Sequence, residues 1–310
     1  MTPGAIAAKR REQYNATIVW MRKPNPDLML VRIRPDKPRA AHHPGQYGTL
    51  GLGNWEPRAP GCAPESLEPA KEGVVVKRAY SISCSVLDDQ LALFDLDRTD
   101  WLEYYIVLVR DTGRAPPPAL TPRLFMLQQG DRLFMGEKIA GHYTLDPVKP
   151  GDTVVFLSTG TGEAPHNYML WELLRRQHTG RILSACCVRY QRDLGYAATQ
   201  AELMRRHPHY TYLSLTTREA LTSGQKVYIQ DLITSGQLEE RLGKPLDPAT
   251  THVYLCGNPN MIGVPIKDQA SGQKRYPTPT GVVEILENRG FAMDQPQLKR
   301  KGNIHFEEYW

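Results

Sequence analysis

Five groups of residues in this chain have types and spacings suited to chemistry. Thr159-Gly160-Thr161-Gly162 follows the apolar run Val154–Leu157, and Pro165 comes next, ahead of Tyr168, Met169, Trp171, Leu173 and Leu174 at roughly helical spacing. A strand, a glycine turn and a helix start together present unpaired backbone N–H groups to an anion, and glycines let a ligand approach the main chain. The turn lacks the third glycine of the usual dinucleotide fingerprint, so by itself it is equally a ligand-free βα turn. Arg78-Ala79-Tyr80-Ser81 offers a planar, permanently charged fork suited to a pyrophosphate, beside an aromatic ring and a hydroxyl. Thr217-Arg218 and Lys226-Val227-Tyr228-Ile229-Gln230 supply two cations, a hydroxyl and a phenol, which suit a phosphate monoester. Cys256-Gly257 places a small polarizable thiol after another apolar run. The last residues, Glu307-Glu308-Tyr309-Trp310, put two aromatics where a chain is normally frayed, so they need a burial site.

The elements that must position these groups change character along the chain. Thr17–Trp20 and Leu28–Ile33 have strand character on either side of a Lys23–Pro26 turn. Residues from Pro44 to Leu52, Val74 to Ser83 and Tyr104 to Val109 read as further extended segments. Asn54–Gly73 is rich in Pro, Gly and Glu and reads as a loop. A short helix is expected near Pro122–Gln128. Short strands and turns with little helix up to Asp146 predict a small antiparallel barrel. After Pro150 strands alternate with helices: Val154–Leu157 with His166–Gln177, Ile182–Val188 with Ala198–His207, Tyr210–Leu215 with Ile229–Ser235, and His252–Cys256 with Val282–Arg289. That alternation predicts a parallel sheet covered by helices on both faces. The fold class is therefore β plus α/β, with a barrel over residues 1–148 and an α/β domain over 149–310.

Bulk properties bound the function. A chain of 310 residues fits two domains. No apolar stretch is long enough to span a bilayer, and the basic residues near the start follow a brief Ala-rich stretch, the reverse of a secretory signal, so a cytoplasmic protein is expected. Five cysteines without a Cys-x-x-Cys pair suggest neither a disulfide framework nor a zinc site, and the nine histidines show no metal-ligand spacing. Charge is uneven: residues 1–60 hold ten Lys or Arg against four Asp or Glu, a net of +6, and the remainder nets −1. A basic region of that kind can face nucleic acid, a membrane surface or an acidic protein. No aromatic-and-basic binding face such as an RRM accompanies it, which argues against a nucleic-acid-binding protein.

Six motifs in order resemble the ferredoxin–NADP reductase family, over about Gly45 to Trp310: Arg-x-Tyr-Ser, Gly-Thr-Gly-x-Ala-Pro, Thr217-Arg218-Glu219, Lys226–Gln230, Cys256–Met261 and the terminal Glu-x-Tyr-Trp. The GQKVYIQ run resembles plastid-type members, whereas Arg189 matches an arginine used by bacterial ones. The resemblance implies a flavin-binding barrel and an NADP-binding α/β domain. It assigns FAD to Arg78, Ala79, Tyr80, Ser81, Ile106, Val107, Leu108, Leu120, Thr121 and Thr161. Tyr309 would cover one flavin face and Trp310 would meet the adenine. NADP(H) falls to Gly160, Thr161, Gly162, Arg189, Thr217, Arg218, Lys226, Tyr228, Gln230, Cys256 and Gly257. Ser81, Cys256, Glu307 and Tyr309 form the implied catalytic set.

The implied activity is electron transfer between NADP(H) and a one-electron carrier, ferredoxin or flavodoxin, by hydride exchange with bound FAD. An alternative within the same module is reduction of another acceptor, such as free flavin, a quinone or a haem protein. The acidic carrier would dock near the basic N-terminal region, with Lys9, Arg10, Arg11, Arg22 and Lys23 as the candidate contacts. Three features depart from the family pattern. Glu163 stands where an apolar residue is usual and His166 where Phe is usual, Gly263–Pro279 is an insertion, and the first thirty residues have no counterpart.

Overall fold

The computed structural model describes residues 1–67, 72–113, 116–219, 226–268, 273–295 and 301–309. They sort into two compact units, Met1–Cys84 with Phe94–His142, and Ser85–Leu93 with Tyr143–Trp310. No helix among the described residues is long and apolar enough to cross a membrane.

The first unit begins with helix α1 (Pro3–Gln13), then strands β1 (Ala16–Asn25), β2 (Leu28–Pro35), β3 (Tyr47–Gly53), β4 (Val75–Ser83) and β5 (Leu102–Val107), a single helical turn α2 (Thr121–Leu124) and β6 (Arg132–Met135). The six strands close an antiparallel barrel in the order β1-β2-β5-β4-β3-β6. Ala16 and Ile18 of β1, Leu28 to Val31 of β2, Leu50 and Leu52 of β3, and Ile82 of β4 are all buried. Closure removes the open edges that would otherwise invite pairing with another chain.

Two details of this unit differ from the sequence reading, and a third adds to it. Helix α1 occupies the stretch that had no counterpart. Pro3 lies in its first turn, and the Thr2 hydroxyl accepts from Ala5 N (3.3 Å), a normal helix start. No residue of α1 is buried, so the apolar periodicity that would announce a helix is missing. The β1–β2 turn falls at Pro26-Asp27 rather than over Lys23–Pro26, fixed by Asp27 N donating to Asn25 Oδ1 (2.9 Å). The loop after β3 is pinned rather than loose. Arg123, nearly fully buried, donates to Asn54 O (2.7 Å) and to Glu65 (2.5 Å), and the loop's far end returns Gly73 N to Asn54 Oδ1 (3.0 Å).

The second unit holds β7 (Thr153–Thr159), α3 (Glu163–Arg175), β8 (Ile182–Val188), α4 (Ala197–Arg206), β9 (Tyr210–Thr216), α5 (Ile229–Thr234), α6 (Gln237–Leu242), β10 (Thr251–Gly257), α7 (Pro259–Ile262), β11 (Ile266–Lys267), β12 (Lys274–Arg275), α8 (Val282–Glu287) and β13 (Ile304–Glu308). Five strands form a parallel sheet in the order β13-β10-β7-β8-β9, and β11 pairs with β12 as a small separate hairpin inside the insertion.

The two faces of that sheet differ in chemistry. Val155 and Leu157, Leu183 and Ala185, Val253 and Leu255, and Ile304 point to one face, where α5, α6, α7 and α8 cover them in a single aliphatic core. The alternate positions, read from the strand period of two, are Phe156 and Ser158, Ser184 and Cys186, Tyr210 and Tyr212, Tyr254 and Cys256, His305 and Glu307. Helix α3 packs against β7 and β10, and α4 against β9. Helix α3 starts three residues earlier than expected because Glu163 and Ala164 join it ahead of Pro165. Helices α6 and α7 escaped the sequence reading: α6 carries only two apolar residues, Leu238 and Leu242, and α7 is a single turn of four residues.

Candidate active site

All five strands of the sheet run the same way, so their carboxyl ends lie together, the position at which open α/β sheets receive ligands. Strand β7 ends there in the Gly160–Gly162 turn that opens α3. The two glycines serve different purposes. Gly160 has φ +54 with open space where a side chain would begin, so its main chain is approachable. A Cβ on Gly162 would lie 2.2 Å from the Cys256 carbonyl oxygen, so this glycine lets the end of β10 close against the turn. Gly257 answers it with φ +125, and the Thr159 hydroxyl accepts from Asn258 N (2.7 Å). Thr161 is half-buried between the two glycines.

The next two strands end in arginines. Arg189 follows β8 and Arg218 follows β9, and both are exposed. Their main chains are joined: Arg218 N donates to Arg189 O (2.9 Å), while Thr217 donates to Val188 O through both N (3.0 Å) and Oγ1 (3.2 Å). Arg189 is partly committed, its Nε donating to Asp193 (3.2 Å). Lys226 and Tyr228 are exposed just ahead of α5, whose start is fixed by Tyr228 N donating to Asp231 (2.8 Å). Gln230, half-buried in α5, donates to Asn260 O at 3.5 Å. Gly160's open main chain and the exposed cations make a donor set that fits a phosphorylated dinucleotide.

Strand β13 brings the chain end to this place. In parallel register Cys256 faces Glu307 and Gly257 faces Glu308, and Tyr309 N donates to Gly257 O (2.9 Å). The Tyr309 side chain reaches the Cys256 thiol. Burial pushes that thiol well above its ordinary range, so it stays protonated near neutrality. Burial also raises the Glu307 carboxyl. Trp310 lies outside the described residues.

One pair beside this cluster was not foreseen. The Tyr143 hydroxyl and His166 Nε2 are hydrogen-bonded at 2.7 Å, both buried, and Tyr143 feels the charges of Cys256, Glu307 and Tyr309. Burial pushes His166 down to about 3, so the imidazole is neutral. A polar aromatic at position 166 was visible in the sequence; its partner, 23 residues away, was not.

In the barrel unit, Arg78 to Ser81 lie on β4 opposite Leu50, Thr49, Gly48 and Tyr47 of β3. Arg78 and Ala79 are exposed, Tyr80 is half-buried and Ser81 is buried. The Arg78 Nη1 donates to Lys77 O (2.8 Å), and the guanidinium makes no ion pair among the described residues, which leaves a fork fit for a pyrophosphate. Gly48 is required beneath Tyr80, because a Cβ there would meet the Tyr104 hydroxyl at 2.6 Å. Ile106, Leu108 and Leu120 are buried in the barrel, so only their main chain is available to a ligand, while Val107 is half-buried. Thr121 accepts from Val109 N (3.2 Å), tying α2 to the end of β5.

Comparison with known proteins agrees with this geometry. Residues 156–265 match the family described as the oxidoreductase NAD-binding domain. The chain is 32% identical over 192 residues to the flavodoxin/ferredoxin–NADP reductase of Escherichia coli (strain K12), covering 62% of this chain and 71% of that one. It is 27% identical over 201 residues to the ferredoxin–NADP reductase of Pseudomonas aeruginosa, covering 62% and 70%. The crystal structure of a ferredoxin NADP+ reductase from Neisseria gonorrhoeae with bound FAD and NADP superposes with a TM-score of 0.67 over 95% of this chain and 97% of that one, at 24% identity. With a barrel, a parallel sheet ending in the Gly160–Gly162 turn, and similarity to these reductases over most of their length, the chain belongs to the flavodoxin/ferredoxin–NADP reductase family.

Proposed function

We propose that this protein transfers electrons between NADP(H) and a ferredoxin or flavodoxin, with FAD held by residues 1–148 and the dinucleotide by residues 149–310. The observation that carries the reading is the convergence at one end of the parallel sheet of an open glycine turn, paired arginines, and the Cys256–Glu307–Tyr309 cluster. Bound FAD supplies the chemistry that joins a two-electron hydride donor to a one-electron carrier.

The chain's own residues bind, orient and shield. Arg78 neutralises the pyrophosphate, Tyr80 offers its ring as a stacking surface, and Ser81 contributes a buried hydroxyl. Arg218 and Lys226 take the 2′-phosphate that separates NADP from NAD. Cys256, kept as a neutral thiol, gives the nicotinamide an uncharged, polarizable contact. Glu307, its carboxyl raised by burial, stands opposite Cys256 in the strand register. Tyr309 closes the site against water.

Purified protein is expected to show a flavin absorbance spectrum and to oxidise NADPH far faster when ferredoxin or flavodoxin is added. Colourless protein that cannot be reconstituted with FAD would overturn the reading. Arg78→Ala is expected to weaken FAD retention by about 1.5–3 kcal/mol, roughly a tenfold to hundredfold rise in Kd. Titration of the apoprotein with FAD measures it, and an unchanged Kd would place the pyrophosphate elsewhere.

The basic residues of the first unit are proposed as the docking face for an acidic carrier. Several expected contacts are engaged within the unit. Lys9 donates to Gly73 O (2.9 Å), Arg10 pairs with Glu56 (Nε–Oε1 2.8 Å), and Lys23 donates to Phe125 O (2.8 Å). Arg11 and Arg22 are exposed as well and complete the candidate set. Transfer complexes are small and transient, so steering dominates, and salt screens it over about 10 Å at about 0.1 M. Charge reversal at Arg11 and Arg22 is expected to slow carrier reduction severalfold at low salt and leave reduction of a small artificial acceptor unchanged. A wild-type rate independent of ionic strength would place docking on another face.

A further inference from the structure

Glu163 is the first residue of α3, immediately after the glycine turn, and its carboxyl is 3% exposed. Each element packed around it contributes a neutral group. From β9 the Tyr212 hydroxyl donates to Oε1 (2.9 Å), and from α4 Gln200 Nε2 donates to the same oxygen (3.3 Å). Gln200 Nε2 also donates to Asn167 Oδ1 on α3 (2.7 Å), and the Tyr210 hydroxyl of β9 donates to Gln200 Oε1 (2.7 Å). From β8 comes Cys186, whose thiol donates to Gly160 O at 3.8 Å and whose titration burial and Glu163 both push upward. His166 on the same helix bonds instead to Tyr143. Oε2 of Glu163 has no partner among the described residues.

A carboxylate in that place would bury a charge without a cation and leave one oxygen bare. The neutral acid removes the larger penalty, the buried charge, while Oε2 stays unpaired in either state. Burial accordingly pushes Glu163 up to about 7, against the smaller opposing pull of Tyr212 and Gln200. The location gives the proton a consequence. The start of α3 is the positive end of the helix dipole, the feature on which an anion-binding turn relies. A buried carboxylate one residue past the turn would occupy that positive end and repel a phosphate brought to it.

We propose that Glu163 is a positioning residue for the dinucleotide phosphates: as the neutral acid it leaves the start of α3 free to hold NADP(H), and its ionisation weakens that hold. The inference rests on the NADP(H) site proposed above. It makes nucleotide affinity pH-dependent near neutrality through a group that touches no ligand. The sign follows from the raised acid. The proton is bound below about pH 7 in the folded chain, so nucleotide affinity is full there and falls as pH rises through and above about 7.

The test measures the Kd of NADP+ for the flavin-loaded wild type and for E163Q between about pH 6 and about pH 8.5, by calorimetry. The amide mimics the neutral acid and cannot ionise. The ratio of the two constants cancels the titration of the ligand's own phosphate. The ratio is expected to stay near one at low pH and to rise about tenfold by the upper limit. Y212F removes a donor that favours the carboxylate, so its transition is expected at higher pH than the wild type's, a movement that a merely structural role would not produce. Infrared difference spectra, which need no ligand, are expected to show a protonated carboxylic acid in the wild type at low pH that E163Q lacks. A ratio flat with pH, with NADP+ still bound, overturns the proposal alone. A wild type that binds no NADP+ at any pH removes the site and the proposal with it.

Discussion

Replacing both Arg218 and Lys226 by alanine is expected to raise the KM for NADPH by about two orders of magnitude, while the KM for NADH moves less than about threefold. Each charge-assisted contact to a phosphate is worth about 1.5–3 kcal/mol, and exposure of both side chains favours the lower end. Two such contacts give about 3 kcal/mol, which corresponds to a factor of roughly 150. NADH lacks the phosphate that these cations address, so it loses little. The contact is remote from the reacting carbon and equally strong in the ground and transition states, so kcat is expected to hold. Arg189→Ala is expected to do less, because that guanidinium is already shared with Asp193 at 3.2 Å. Steady-state kinetics with both nucleotides decide it. A loss of equal size with NADPH and NADH would mean that these residues support the fold rather than read the phosphate.

Gly162→Ala is expected to lower stability by about 1–3 kcal/mol and to reduce kcat/KM for NADPH at least about tenfold. The new Cβ would sit 2.2 Å from the Cys256 carbonyl oxygen, 2.6 Å from its carbonyl carbon and 3.0 Å from Gly257 N. All three are main-chain atoms of a central strand, so no side chain can swing aside. Relief must come from moving the glycine turn or the end of β10, and both carry site residues. Gly151→Ala is the control, since nothing lies within 4 Å of its missing Cβ and its φ is not in the left-handed range. Thermal melts and NADPH kinetics of the two variants separate packing from a general glycine effect. A Gly162→Ala protein with wild-type melting and kinetics would show that β10 and the turn can part without consequence.

Much of the architecture was legible before any coordinates. The β-then-α/β division, the barrel and the parallel sheet rest on local signals: short strands between turns early in the chain, then strands alternating with helices. Buried parallel strands read as continuous apolar runs, and β7, β8 and β10 did so. The motif residues were recognisable because each carries its chemistry in a short window. Helix α1 was missed because it buries nothing, α6 because it has only two apolar residues, and α7 because it is a single turn.

What the amino-acid sequence by itself determined is the set of elements and the residue types at the ends of the strands. Only the tertiary structure decided which of those ends meet. Strand β13 lies some fifty residues beyond β10, and its register sets Glu307 against Cys256; a shift of one residue would turn Glu307 and Tyr309 to the aliphatic face. Charge states were equally out of reach. Glu163 and His166 look ionisable in the sequence, but the side chains that surround them come from β8, β9, α4 and Tyr143. Burial without a counter-charge is a property of that assembly, so the upward shift of the carboxyl beside the glycine turn exists only once the sheet has formed.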